Sequence, residues 1–325
     1  MTEPAEGILI VNKEAGMTSA DVVARVRRIS GIRRVGHTGT LDPFATGVLP
    51  VCTGRATAAA GFMLNWAKRY RCGIRLGYTT STLDSQGQVT EEAADPSRWR
   101  SFLDEKDRGA SARLKEAVNS LTAIRSQQAP LYSAVKVKGK PLYRYAREGL
   151  EVERPVRQVT VHEAALLGVE PDEAGYPLVT VEFLVSAGTY IRSLAGRLGE
   201  LVACPAHAAW LVRLAAGHFD LSMACQLDSL ADGWTDFLRP VGEAFRGWPG
   251  LELTRKEALD LAHGRQIACS EEAVAAPSGE AGRLSPPPDV HWLACRLEGR
   301  LIAAATREED GLLRARRVFV RPQEL

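Results

Sequence analysis

The clearest alternation of apolar and polar residues in the chain runs from Lys68 to Thr79. Every second side chain in this segment is apolar or aromatic, which predicts a strand with one buried face. That face consists of Tyr70, Cys72, Ile74, Leu76 and Tyr78, while Arg69, Arg71 and Arg75 lie on the other. The pattern therefore places Tyr70 on the inward side of a half-buried strand.

The other segments divide into helices and strands that do not alternate regularly. Thr18 and Asp21 form a capping pattern for a helix through Ser30, which Gly31 ends. Helices are also predicted at 56–67, 96–121, 141–149, 188–202 and 228–245, and strands at 7–11, 156–167, 178–185 and 209–219. Because there is no βαβ repeat, we predict an α+β fold with a mixed, largely antiparallel sheet flanked by helices.

The character of the sequence changes after Trp248-Pro249-Gly250. Thr254 and Glu257 form a capping box for a short helix that ends at Gly264. Residues 270–289 are rich in small and polar residues and are predicted to form a mobile loop, and strands are predicted at 291–297, 300–306 and 312–320. We therefore predict a large domain over 1–247 and a small β-barrel-like domain over 250–325.

Composition narrows the class of protein. The 325 residues are 45% hydrophobic, which supports a sizeable core, and no apolar run approaches the roughly 20 residues needed to cross a bilayer. The N-terminal stretch is acidic, unlike a signal peptide. Six scattered cysteines without a Cys-x-x-Cys pair argue against a zinc site and against a disulfide framework. We expect a cytoplasmic protein without a metal, and a monomer because no heptad pattern is present.

The net charge of +2 hides an uneven distribution of charge. Residues 13–71 hold ten Lys or Arg against three acids, residues 125–157 hold eight against three, and residues 311–321 hold four Arg and no acid. Solvated faces explain most charge runs, but three basic regions in a nearly neutral chain also fit a docked polyanion such as a nucleic acid.

The segment Gly36–Pro50 contains three glycines and two prolines, a composition that argues against a helix or a central strand. Its apolar residues nevertheless favour burial, so we predict a partly buried, conformationally special loop with one acid, Asp42. The proline that follows restricts the backbone of Asp42 to extended geometry. From the residues alone, this carboxylate could be a nucleophile, a general base, a metal ligand or a loop cap.

A second candidate is Arg192, which lies in the first turn of a helix predicted to begin after Gly188-Thr189. The helix dipole disfavours a cation there, so a carboxylate should compensate it. Asp42 is one candidate, which Arg192 would orient through a bidentate pair. The alternative is a surface arginine paired with any nearby acid.

Four motifs together resemble those of the bacterial TruB-type tRNA pseudouridine synthases. They are Gly36–Pro50, Lys68-Arg69-Tyr70, Lys140–Tyr143 with Ala146–Gly149, and Gly188–Arg192, in the order and at separations similar to those of the family. The resemblance covers residues 7 to about 245, and the remainder resembles the family's C-terminal PUA RNA-binding module. It implies an enzyme that converts uridine 55 in the T arm of tRNA to pseudouridine, without a cofactor.

The resemblance also implies roles for individual residues. Asp42 would be the nucleophile on a flipped-out base, Arg192 its partner, and Tyr70 the aromatic that packs against the base and assists proton removal. The substrate-binding residues would be His37, Tyr190, Leu211 and Lys13, with an RNA-contacting insertion at about 125–155 that includes Lys136, Lys140 and Arg147. Lys13 lies in Asn12-Lys13-Glu14, where relatives usually have Asp-Lys-Pro, so roles of that Asp and Pro do not transfer.

Two other functions would fit parts of the sequence. A non-catalytic RNA chaperone at the tRNA elbow would use the same basic surfaces and would not need Asp42. A carboxylate-dependent glycosidase would need a second acid, and the other motifs offer only Glu148. The residues leave open whether the nucleophile attacks the sugar or the base, and which group accepts the proton.

Overall fold

A computed structural model describes residues 6–95, 97–104, 106–287, 289 and 291–325. The chain divides into two compact units: the first comprises Met1–Pro43, Gly47–Ala67 and Ala215–Leu325, and the second comprises Phe44–Thr46 and Lys68–Leu214. Residues 1–5, on which the expectation of no signal peptide partly depends, lie outside the described residues. The predicted domain boundary near 247–250 stays a prediction.

The described residues contain both strands and helices. The strands are β1 Ile8–Lys13, β2 Val35–His37, β3 Thr46–Thr53, β4 Lys68–Leu76, β5 Tyr78–Thr80, β6 Val89–Glu92, β7 Ser126–Gln128, β8 Lys136–Val137, β9 Lys140–Pro141, β10 Val156–Gln158, β11 Val161–Pro171, β12 Pro177–Val185, β13 Ala206–Ala216, β14 Phe219–Asp220, β15 Cys225–Gln226, β16 Gly250–Glu252, β17 Ile267–Ala268, β18 Trp292–Leu297, β19 Arg300–Arg307 and β20 Leu312–Val318. The α-helices are α1 Ser19–Ser30, α2 Ala60–Met63, α3 Ser97–Arg100, α4 Arg108–Ser120, α5 Leu142–Arg147, α6 Ile191–Leu201, α7 Arg255–Ala262 and α8 Gly279–Leu284. Short 3₁₀ turns cover Gly54–Ala59, Ser101–Leu103, Leu121–Ala123, Leu221–Met223, Asp228–Asp232, Trp234–Phe237, Val241–Phe245 and Pro322–Glu324.

In the first unit, β3 pairs antiparallel with both β1 and β2, and β1 pairs parallel with β15. Helix α1 begins and ends at the predicted residues: Thr18 and Asp21 form a reciprocal capping box, and Gly31 ends the helix at φ 69°. A separate five-stranded sheet follows in the order β16-β18-β19-β20-β17. It confirms the predicted small β-barrel-like fold near the C-terminus.

One hydrophobic cluster of the first unit, here called the shared core, joins side chains from distant parts of the sequence. Ile8, Phe62 and Trp66 pack in it with Ala304 and Phe319 of the C-terminal region. The Phe62 ring makes edge contacts with three aromatic rings, those of Phe245, Trp248 and Trp292. The five-stranded sheet therefore does not fold around its own side chains alone.

In the second unit the strands follow the order β11-β12-β4-β13, with antiparallel pairing of β11 with β12 and of β12 with β4. Alternate residues of β12 are buried, and Phe183 lies opposite Tyr70 of β4. Tyr70 is 8% exposed, so its predicted inward orientation is confirmed. The α+β class and the mixed, largely antiparallel sheet are likewise confirmed.

Several sequence predictions are wrong in detail. Pro50 lies within β3, where it lies opposite Ile10 and its carbonyl accepts the N–H of Thr38; a proline fits there because the strand needs only its carbonyl at that point. The 228–245 segment, predicted as one mostly helical stretch, forms three short 3₁₀ turns separated at Gly233 and Pro240. The predicted loop at 270–289 contains α8, and its residue 288 lies outside the described residues.

Candidate active site

Asp42 is half-buried in the loop between β2 and β3, and hydrogen bonds fix the main chain of both of its neighbours. Ser19, at the start of α1, binds both main-chain groups of Leu41: its Oγ accepts the N–H at 2.8 Å and donates to the carbonyl at 3.2 Å. On the other side, the carbonyl of Pro43 accepts the N–H of Gly16 at 2.8 Å. The backbone on both sides of the carboxylate is therefore held in place before any substrate binds.

Lys13 strengthens this anchoring from β1. Its side chain is fully buried, and its Nζ donates to the carbonyls of Glu14, Met17 and Pro43 at 2.9, 2.8 and 3.3 Å. A buried ammonium needs such partners because burial removes its hydration. The structure thus shows Lys13 supporting the loop backbone, and a direct contact of Lys13 with substrate stays a prediction.

His37 is the last residue of β2 and is half-buried at the start of the same loop. Its Nδ1 accepts the N–H of Gly39 at 3.3 Å, a bond that orients the ring relative to the turn. The structure therefore brings His37, Lys13 and Asp42 into one anchored loop system within the first unit.

The second unit contains Tyr70, Tyr190, Arg192 and Leu211. Tyr190 is the residue that precedes α6, and Arg192 is the second residue of that helix. Leu211, 5% exposed, lies on β13, the strand next to β4 in the sheet order. Two adjacent strands thus carry the predicted stacking and wall residues.

Arg192 is 2% exposed and has a carboxylate partner that the sequence analysis missed. Its Nη1 lies 3.4 Å from Oδ2 of Asp84, which is itself buried, and donates to the carbonyl of Thr82 at 2.7 Å. Its Nη2 donates to the carbonyl of Tyr132 at 2.8 Å. These acceptors offset both the burial of the charge and its unfavourable place at the helix N-terminus. The pairing of Arg192 with Asp42 stays a prediction.

The loop that carries Asp84 is tightly constrained. Oδ1 of Asp84 accepts the hydroxyl of Thr82 at 2.6 Å and the N–H of Gln86 at 3.0 Å. Leu83 adopts φ 59°, a left-handed conformation that costs a β-carbon-bearing residue energy, and its carbonyl accepts the N–H of Ala208 on β13. The Thr82-x-Asp84 spacing was visible in the sequence, but only the fold brings Asp84 to Arg192.

Lys68, two residues before Tyr70 on the same face of β4, is buried. Burial, with a further contribution from the charge of Arg213, lowers the pKa of Lys68 to about 7. The region around Tyr70 therefore holds an amine that titrates near neutral pH.

The insertion at 125–155 forms a small basic hairpin and helix. β8 and β9 pair across a turn in which Lys138 and Gly139 adopt positive φ values, followed by α5. Lys136 is exposed, whereas Lys140 forms an ion pair with Glu148 and lies 4.7 Å from the Tyr145 ring centroid. Arg147 lies over the ring of Tyr143. RNA contacts by Lys136, Lys140 and Arg147 stay predictions.

Metal binding and membrane crossing each need a recognisable structural feature. Within the described ranges, no three His, Cys, Asp or Glu side chains are grouped so that they could hold a metal ion. Among the helices of the same residues, none combines the length and apolar composition that a membrane crossing requires.

Known proteins share much of this sequence. Residues 27–191 match the TruB family pseudouridylate synthase (N terminal domain). The chain is 42% identical over 267 residues to tRNA pseudouridine synthase B of Geobacillus thermodenitrificans, covering 80% of this chain and 84% of the relative. It is 40% identical over 282 residues to the protein of that name from Thermobifida fusca, covering 86% of this chain and 89% of the relative.

A solved structure, that of a Cbf5-Nop10-Gar1 complex, contains a chain that matches with a TM-score of 0.69 at 22% identity. The match covers 98% of this chain and 86% of that chain, and it shows a common fold. On the family match and the identity to the relatives, the chain belongs to the TruB family of pseudouridylate synthases.

Proposed function

We propose that this enzyme isomerises uridine 55 in the T arm of tRNA to pseudouridine, with Asp42 as the nucleophile. The observation that carries the assignment of Asp42 is the anchoring of Leu41 and Pro43, which fixes the backbone on both sides of one carboxylate. Relatives that share about 40% of its residues are named tRNA pseudouridine synthase B, which supports tRNA as the substrate.

The reaction breaks the bond from C1′ of the ribose to N1 of uracil and forms a bond from C1′ to C5. The proton on C5 is lost and N1 gains one, so substrate and product are isomers and no group donor is consumed. A carboxylate nucleophile divides this exchange into two easier steps by holding the substrate covalently while the base rotates.

The target base must leave the RNA stack, at a cost of a few kcal/mol. Stacking on the buried Tyr70 would return part of that energy, with Leu211 and Tyr190 lining the pocket. Arg192, buried with Asp84 and two carbonyls, is proposed to orient Asp42.

The basic surfaces are proposed to bind the RNA backbone. The hairpin at 136–147 and the three exposed arginines of β20 (Arg314, Arg316 and Arg317) would contact phosphates, making binding salt-dependent. On this proposal residues 250–325 act as a PUA-like RNA-binding domain beside a catalytic domain at 1–247, and the enzyme works as a monomer in the cytoplasm, where its substrate tRNA is found.

The proposal is tested with Asp42→Asn in a tritium-release assay on a T-arm hairpin labelled at uracil C5. We expect normal folding and tRNA binding but no release, because the amide is a poor nucleophile. Asp232→Asn, an exposed acid outside the loop, is the matched control and should behave as the wild type. Ordinary release by Asp42→Asn would remove the nucleophile assignment.

The position of the target is tested separately. A labelled tRNA in which cytidine replaces uridine 55 should release no tritium above background. If the Asp42→Asn protein is inactive yet restores tRNA folding fully, the chaperone function becomes the better description.

A further inference from the structure

Gln127, in the short strand β7, binds both main-chain groups of Tyr190. Its Oε1 accepts the Tyr190 N–H at 2.8 Å, and its Nε2 donates to the Tyr190 carbonyl at 3.3 Å. The side chain is 8% exposed, so this paired contact is made away from water. The carboxamide thus hydrogen-bonds the N–H and the carbonyl of Tyr190, as a paired strand would.

The residue that Gln127 holds sets the start of α6. Tyr190 has extended backbone angles, φ −96° and ψ 110°, and no side chain among the described residues caps the helix there. Arg192 is two positions after Tyr190, so a shift of the Tyr190 backbone also moves the Arg192 guanidinium. The Gln127 carboxamide therefore fixes the backbone of the residue that directly precedes α6.

A second bond connects the same segment to the same helix. The carbonyl of Tyr132 accepts from Nη2 of Arg192 at 2.8 Å. Gln127 and Tyr132 both lie in the stretch that leads from β7 to the hairpin of β8 and β9, and β7 is itself paired with β10, where Arg157 lies opposite Gln127. The first residues of the basic insertion are therefore hydrogen-bonded to Tyr190 and Arg192.

We propose that Gln127 is a positioning residue that connects the insertion at 125–155 to Tyr190 and Arg192 and thereby places the Arg192 guanidinium for the chemical step. The inference rests on the proposed function for its effect on turnover. RNA that binds the insertion would act on Arg192 through these bonds, and Gln127 itself would contribute little to RNA affinity.

The sharpest test is Gln127→Glu, which keeps the size of the side chain and the acceptor for the Tyr190 N–H. It replaces the donor with a carboxylate oxygen facing the Tyr190 carbonyl. We expect the single-turnover rate on the T-arm hairpin to fall about tenfold or more at pH 8, while the Kd for the hairpin stays within about threefold.

Acidification should then reverse the defect. Protonation of the new carboxyl restores a donor. Burial beside a carbonyl raises its pKa above the ordinary value of about 4.3, while the exposed Arg157 opposite it on β10 acts in the other direction. The rate of Gln127→Glu divided by that of the wild type should therefore rise as the pH falls from 8 to 5. A ratio that is flat with pH, or a defect confined to the Kd, would overturn the proposal.

Gln158→Glu is the matched control, since Gln158 is exposed in β10, the strand paired with β7, and lies outside the insertion. The rate of this control divided by that of the wild type should stay near one from pH 8 to pH 5. If Gln127→Glu does not fold, Gln127→Met serves instead: its rate should be low at every pH, and a rate equal to that of the wild type would refute the inference.

Amide hydrogen exchange separates this inference from the proposed function. In Gln127→Met the Tyr190 amide should exchange faster than in the wild type, whether or not the hairpin is a substrate, and unchanged exchange would count against the bond. No turnover by the wild type on any T-arm substrate would instead remove the proposed function.

Discussion

The anchoring of the Asp42 loop by Ser19 leads to a prediction with a definite size. Ser19→Ala removes the only side chain that bonds the Leu41 main chain in the described structure, leaving a buried N–H and a buried carbonyl unpaired. Each costs about 1–3 kcal/mol, and alanine returns about 0.5 kcal/mol in helix propensity. We therefore expect the free energy of unfolding to fall by about 1.5–5.5 kcal/mol.

Urea unfolding followed by tryptophan fluorescence measures this change, with Ser30→Ala as the control in the same helix. Ser30 is half-buried and its Oγ accepts only the Ile32 N–H, so its loss should cost under about 1 kcal/mol. Equal urea midpoints for the two variants would refute the reasoning.

The same substitution should also slow the reaction. A displacement of about 1 Å of a reacting group can cost about a hundredfold in rate, and Leu41 precedes the proposed nucleophile directly. Under conditions in which Ser19→Ala remains folded, its single-turnover rate should therefore fall well below that of Ser30→Ala. A folded Ser19→Ala protein with the rate of the wild type would show that the bond is structural only.

Two further predictions concern other buried polar groups. Because the pKa of Lys68 is lowered from 10.5 to about 7, the unfolded chain binds a proton between these pH values that the native state lacks. The free-energy cost of burying the charged amine is therefore complete below pH 7 and is relieved as the pH rises. The stability of the wild type relative to Lys68→Met should then increase by up to about 1.4 kcal/mol per pH unit. Urea midpoints of the two proteins that run parallel from pH 6.5 to 9.5 would contradict this prediction. The Oγ of Ser133 is buried without a hydrogen-bond partner among the described residues, so Ser133→Ala should leave the melting temperature unchanged or raise it. Ser285→Ala, which loses a contact of 3.0 Å with His218, should lower that temperature, and a larger loss for Ser133→Ala would reverse the argument.

Local signals in the sequence predicted local structure well. The capping box of Thr18 and the Gly31 stop bound α1 because both act within one turn of the helix. The alternation around Tyr70 predicted its burial because one face of β4 packs inward. The 228–245 segment was predicted to be mostly helical, but Gly233 and Pro240 divide it into short 3₁₀ turns.

The partners of the site residues could not be read in the same way. Asp84 and Gln127 lie far from α6 in sequence, and only the folded second unit brings them to Arg192 and Tyr190. The resemblance selected Arg192 as important, but it did not indicate the buried Asp84 beside it, which lies outside the four motifs. Side chains that support a site through long-range contacts leave no periodic pattern in the sequence.

The shared core has a consequence for how this enzyme can be cut or recombined. Truncation near residue 247 would leave Phe62 and Trp66 facing water where Trp292, Ala304 and Phe319 had been, and each 100 Å² of newly exposed apolar surface costs about 2.5 kcal/mol. A shortened enzyme would therefore tend to aggregate, so loss of activity on truncation would report insolubility before it reported RNA recognition. A useful catalytic fragment, or a chimera with another RNA-binding tail, would first need polar replacements on that exposed face.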